Sequence, residues 1–118
     1  MKLAAIWFPV SQWEESRSFY RDILGLMETG SDERAGWAAF NSGSLPFFLI
    51  RRPELVGGMG GGVATFRVDD LEALHARLVT AGAQVEEQLQ HSGNLLIMTF
   101  YDPDGNRLEA AQVVEELA

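Results

Sequence analysis

Val10-Ser11-Gln12-Trp13-Glu14-Glu15-Ser16-Arg17-Ser18-Phe19-Tyr20-Arg21-Asp22-Ile23-Leu24-Gly25 and Val68-Asp69-Asp70-Leu71-Glu72-Ala73-Leu74-His75-Ala76-Arg77-Leu78-Val79-Thr80-Ala81-Gly82 share one grammar, with starts 58 positions apart. Each follows an apolar run of strand character. Ser11 with Glu14, and Asp69 with Glu72, fit the reciprocal cap of a helix N-terminus. Trp13, Ser16, Tyr20 and Leu24 are spaced for one helix face, as are Leu71, Leu74 and Leu78 in the second copy. Gly25 and Gly82 stand where a left-handed residue ends a helix. The first copy carries one extra residue before its glycine, which a C-terminal turn absorbs.

Outward from these helices the pattern changes to short strands separated by turn residues. The first half offers Leu3 to Val10 before the helix and Leu26 to Glu28, Gly36 to Asn41 and Pro46 to Arg51 after it. Turns are expected at Ser31-Asp32-Glu33 and Ser42-Gly43-Ser44. The second half offers Val63 to Val68 before the helix and Gln84 to Gln88, Leu95 to Tyr101 and Arg107 to Ala111 after it. Each half therefore reads β-α-β-β-β, an α+β chain of one domain with modules at 1–56 and 63–118 joined by a glycine-rich linker at 57–62. A phosphate-cradling loop needs a helix after its glycines. Here a strand follows, so the run reads as a linker.

The 118 residues suffice for one good core, and 47% hydrophobic with 22% charged residues is a globular composition. No apolar run reaches the roughly 18 residues of a membrane span, and Pro9 interrupts the start where a signal peptide would continue. A cytoplasmic location is expected. With no cysteine, only His, Asp and Glu remain as strong metal ligands, and the histidines are His75 and His91. A formal net charge of -8 opposes binding to nucleic acid or anionic membranes.

Phe19-Tyr20-Arg21-Asp22-Ile23-Leu24-Gly25-Leu26, Val68-Asp69-Asp70-Leu71 and Phe100-Tyr101-Asp102-Pro103-Asp104-Gly105-Asn106-Arg107-Leu108-Glu109 resemble the vicinal oxygen chelate superfamily of glyoxalases, bleomycin-resistance proteins, fosfomycin-resistance enzymes and extradiol dioxygenases. The resemblance implies two tandem βαβββ modules forming a curled mixed sheet around a groove, the glyoxalase/bleomycin-resistance fold. It also implies a divalent metal held by residues of the first and last strands of each module. Carried over position by position, the metal ligands fall on Ala5, Val63, Phe47 or Phe48, and Glu109. Only Glu109 keeps a ligating side chain, so no metal site and no cofactor are expected.

Strand alternation directs Leu3, Trp7 and Pro9 to the same side as Ala5, and Thr65 and Arg67 to the same side as Val63. The ligand-binding candidates are Trp7, Phe47, Phe48, Thr65, Arg67, Glu109 and, in a loop able to reach over a groove, His91. Glu109 is also the candidate catalytic carboxylate. The structural alternatives are a Trp7 that serves only the core and a Glu109 ion-paired with an arginine such as Arg67. His75 reads as a helix surface residue, and Asp102-Pro103-Asp104-Gly105-Asn106 as a β-turn.

Two readings of function follow. One is a metal-free protein that binds, for sequestration or resistance, an aromatic or cationic small molecule. The alternative is an enzyme of the family, a lyase, isomerase or dioxygenase, working through a metal or through acid and base chemistry at Glu109. A vestigial groove in a regulatory module is a third. A homodimer is expected, because edge strands of such sheets need cover.

Overall fold

In both halves an apolar strand leads into a helix, and the chain returns to lay its last strand parallel to the first. A parallel pair needs such a crossover, because no short turn can reverse the chain twice. The computed structural model describes residues 5–56 and 63–114 and divides into two compact units, Met1–Gly58 and Met59–Ala118. The glycine-rich stretch at 57–62 lies outside the described residues.

The first unit runs β1 (Ile6–Val10), α1 (Trp13–Ser18) continuing into a π-helical turn (Phe19–Ile23), β2 (Met27–Asp32), β3 (Trp37–Asn41) and β4 (Pro46–Arg51). The sheet order is β1-β4-β3-β2, with β1 parallel to β4 and the other pairs antiparallel. The helix packs on the face formed by Val10, Ala38, Phe40, Phe47 and Leu49, all buried. At its centre the Tyr20 ring lies 5.2 Å from Phe47 and 6.1 Å from Phe40. Two further contacts tie α1 to the sheet. Arg17 donates to both Glu28 carboxylate oxygens, at 2.9 and 3.1 Å, and the Arg51 guanidinium of β4 lies 5.4 Å from the Trp13 ring centroid.

The second unit runs β5 (Ala64–Arg67), α2 (Leu71–Thr80), β6 (Gln90–Ser92), β7 (Leu95–Tyr101) and β8 (Arg107–Val113), in sheet order β5-β8-β7-β6. Leu71, Leu74 and Leu78 of α2 are buried, as the spacing predicts, and so are Met98, Phe100, Leu108 and Ala110 of the sheet. Gln112 of β8 accepts a hydrogen bond from the Leu71 amide at 2.8 Å, satisfying a donor that the helix leaves orphaned. No helix among the described residues is long and apolar enough to cross a membrane.

The extra residue of the first copy sits in the π-helical turn, where the Leu24 amide bonds the Phe19 carbonyl at 3.0 Å. Gly25 and Gly82 then both adopt φ of 76°, ending the two helices alike despite their unequal lengths.

Several local expectations shift. The helices start one residue later than the cap pattern suggests, with Gln12 and Asp70 at the N-cap positions instead of Ser11 and Asp69. The Val68 amide continues β-type bonding to the Ala111 carbonyl at 3.0 Å, so the chain is still strand-like there, and Asp70 is the carboxylate that accepts from the Ala73 amide at 3.0 Å. Strand β2 continues through the expected turn to Asp32, since a bulge between Glu28 and Gly30 absorbs one residue and lets pairing resume. The strand expected at Gln84 to Gln88 is reduced to a bridge of Val85 with Phe100, flanked by bonds from the Tyr101 amide to the Gln84 carbonyl and from the Glu86 amide to the Thr99 carbonyl. The chain parts from β7 over Glu87, Gln88 and Leu89 and rejoins it as β6.

Asp70→Ala is expected to cost about 1 kcal/mol by loss of the cap, lowering Tm by roughly 4 °C or more, whereas Asp69→Ala is expected to be nearly neutral. Thermal denaturation of both variants checks the placement of the helix start; a larger loss from Asp69→Ala would contradict it.

Candidate functional site

Because each helix occupies one face of its sheet, the residues of chemical interest are those that alternation sends to the other face. Register makes the two halves comparable. In the first unit Trp7 of β1 stands beside Phe48 of β4, and in the second Thr65 of β5 stands beside Glu109 of β8. Phe48 is therefore the counterpart of Glu109, which resolves the choice between Phe47 and Phe48. Phe47 points the other way, 3% exposed and edge-on to Phe8 at 5.6 Å, so it belongs to the core and not to a ligand surface.

The open face of the first unit is aromatic and apolar. It carries Trp7, 43% exposed, with Phe48, Trp37, Ile50 and Ala39 in neighbouring register positions. The Trp37 and Phe48 rings meet edge to face, centroids 6.4 Å apart. Gly30 of β2 lies beneath the Trp37 indole, where an added Cβ would sit 3.8 Å from the ring.

The corresponding face of the second unit is polar. The Thr65 hydroxyl donates to Glu109 Oε1 at 3.0 Å, and Arg107 approaches Glu109 Oε2 at 3.8 Å. Thr99 lies opposite Glu109 and Tyr101 opposite Arg107 across the β7–β8 ladder. The Tyr101 hydroxyl donates to Glu86 Oε1 at 2.7 Å. That hydrogen bond, with desolvation and the carboxylate charge adding to it, holds the Tyr101 phenol above its ordinary pKa. Where the chain parts from β7, a recess of about 620 Å³ opens, lined by Val85, Glu86, Glu87, Gln88, Gln90, Thr99 and Arg107.

The structure thus brings Trp7 and Phe48 together in one unit and Thr65 and Glu109 in the other. In the structural alternative for Glu109, pairing with an arginine such as Arg67, the partner differs. Arg67 stands beside Ala111, one pair further along the same face, and it is Arg107 that approaches the carboxylate. His91 is also corrected. It lies within β6 opposite Leu96, and Leu96 shares its face with Met98 and Phe100, so the imidazole projects from the helix side of the sheet. Sequence reasoning passed over Trp37, Arg107, Tyr101 and Glu86 as site residues. Arg107 shares its alternation with Glu109 and so already lay on that face, whereas Trp37 and Tyr101 are assigned to the open faces by the register of their strands. Glu86 had no such signal, because the strand that carries it breaks at the next residue.

The divalent metal implied by the family resemblance does not fit these positions. The side chains of Ala5, Val63 and Phe48 carry no ligating atom, and Glu109 is engaged by Thr65 and Arg107. Among the described residues no group of three or more His, Asp or Glu side chains is placed to hold a metal ion.

Residues 2–110 match the family model described as Glyoxalase/Bleomycin resistance protein/Dioxygenase superfamily. No curated protein sequence matches the chain. Solved structures share its fold. A lactoylglutathione lyase from Agrobacterium tumefaciens aligns with a TM-score of 0.74 at 20% identity, over 94% of this chain and 92% of its own. The fosfomycin resistance protein FosX from Listeria monocytogenes aligns at 0.78 and 16%, over 95% and 93%. A glyoxalase-related enzyme from Fulvimarina pelagi aligns at 0.77 and 21%, over 94% and 87%.

The Tyr101 phenol is expected to ionise above the ordinary value of about 10, and to fall back towards it in Glu86→Gln. A raised folded-state value means that the hydrogen bond stabilises the fold below the ordinary phenol pKa and ceases to do so as pH rises through the higher one. Spectrophotometric titration of the phenolate, assigned with Tyr101→Phe, checks both statements; indistinguishable curves for wild type and Glu86→Gln would contradict the coupling.

Proposed function

The chain belongs to the Glyoxalase/Bleomycin resistance protein/Dioxygenase superfamily, and we propose that within it this protein is a metal-independent binder of a flat, cationic small molecule, of sequestering or resistance type and acting in the cytoplasm. The observation that supports this reading is the Trp7–Phe48 pair, two aromatic side chains at positions where the second unit has Thr65 and Glu109. A planar ring laid on that surface gains roughly 0.5 to 1.5 kcal/mol from aromatic contact beyond its area burial. A positive charge on the ring adds to this through the indole faces, and the net charge of -8 favours the approach of cations. Resistance proteins and lyases both occur among the structures of this fold, so either use lies within its range.

One observation favours the second reading, an acid–base enzyme. Glu109 has a side chain only 22% exposed and is oriented by the Thr65 hydroxyl, which is how a working carboxylate is held. On that reading Glu109→Gln abolishes turnover. On the binding reading there is no turnover to abolish.

Under the binding reading, proflavine, a planar aromatic cation, is expected to quench the tryptophan emission saturably, and Trp7→Ala and Phe48→Ala are each expected to weaken it by about tenfold. Affinities unchanged in both variants would remove the aromatic face from consideration. Protein purified from its native cell extract is expected to contain only substoichiometric divalent metal. One tightly held Mn, Fe, Ni or Zn per chain, lost in Glu109→Gln, would instead promote a metal enzyme. We also propose a homodimer, since among the described residues β1 and β2 are the edge strands of one sheet and β5 and β6 those of the other. Light scattering is expected to give twice the chain mass, and monomer mass at micromolar concentration would refute it.

A further inference from the structure

We propose that the recess beside β7 in the second unit is a binding site in its own right, for a small polyhydroxylated amine. This goes beyond the aromatic-face reading and does not depend on it. The recess exists because the chain abandons ladder pairing at Glu87, Gln88 and Leu89, between the bonds at Glu86 and the return at Gln90. The fold does not demand that gap. In the first unit the equivalent strand, β2, stays paired from Met27 to Asp32 with a single bulge. The opening is thus a departure of one unit from the strand order that both share.

Its volume of about 620 Å³ lies within the range of small-molecule sites. Its lining excludes an apolar guest. Apart from Val85, every lining side chain bears hydrogen-bonding groups, with carboxylates from Glu86 and Glu87, amides from Gln88 and Gln90, the Thr99 hydroxyl and the Arg107 guanidinium. A lining that offers donors and acceptors together suits vicinal hydroxyls, each of which both donates and accepts. The amine follows from how the charges are disposed. Arg107 approaches Glu109 at 3.8 Å, while Glu86, held through one oxygen by the Tyr101 hydroxyl at 2.7 Å, keeps its second oxygen for a cation. The Tyr101 bond therefore orients the carboxylate before any ligand arrives.

The test is a titration of the isotope-labelled full chain, followed by backbone amide NMR, with the β-1,4-linked dimer of glucosamine and with its fully N-acetylated counterpart. The two probes share shape and hydroxyls and differ in charge. The expected result is saturable shifts confined to residues 85–90, 99–101 and 107 with the amine, and binding at least about tenfold weaker with the acetylated probe. Glu86→Gln is expected to reproduce that loss, and Tyr101→Phe to give a smaller one, while Trp7→Ala leaves the titration unchanged. Equal binding of the two probes, unsaturable shifts spread over the acidic surface, or an unaltered affinity in a folded Glu86→Gln would each overturn the proposal. Because proflavine binding is read at Trp7 and Phe48, failure of either experiment leaves the other standing.

Discussion

The parallel pairing of first and last strands within each module is the constraint from which the rest follows. It obliges the chain to cross over by a helix, it commits one face of the sheet to that helix, and it sets side by side the residues that face the other way. A slip of one residue in the β1–β4 pairing would turn Phe48 into the core and Phe47 out of it, breaking the cluster with Tyr20 and Phe40. The buried aromatic packing of the first unit and the leucine face of α2 in the second are what hold those registers.

On the same strand order the two halves are chemically opposite. Trp7 and Phe48 stand where Thr65 and Glu109 stand in the second copy, so one open face offers dispersion and quadrupole, the other hydrogen bonds and charge. A partly buried carboxylate is costly unless its oxygens are engaged. Thr65 and Arg107 supply that engagement without drawing on the core, and Glu109 persists on a face where its counterpart is a phenylalanine.

The repeat, the helix faces and most of the strands were legible in the sequence because each rests on a periodicity or a terminating residue that acts locally. Leu71, Leu74 and Leu78 are buried as their spacing requires, and the two helix-ending glycines take the left-handed conformation. What could not be read depended on partners distant in the chain. Whether Ser11 or Gln12 begins α1, and Asp69 or Asp70 begins α2, is decided by how far the preceding strand stays paired, as the Val68 bond to Ala111 illustrates. Alternation alone could not choose between Phe47 and Phe48, since the turn before them left the count open by one; the partner strand makes the choice. His91 looked like a loop residue because nothing local announces that β6 begins at Gln90, after a gap in pairing.

The π-helical turn at Phe19–Ile23 bears on how two halves of unequal length keep one strand order. A residue gained inside a helix would ordinarily rotate everything after it by about 100°, since a turn holds 3.6 residues, and would carry the following strand out of phase with its neighbours. Here the widened turn takes up the excess before Gly25, and β2, β3 and β4 keep their places. The likeness of the halves therefore lies in which strand stands beside which, and it survives a residue count from landmark to landmark that differs by one.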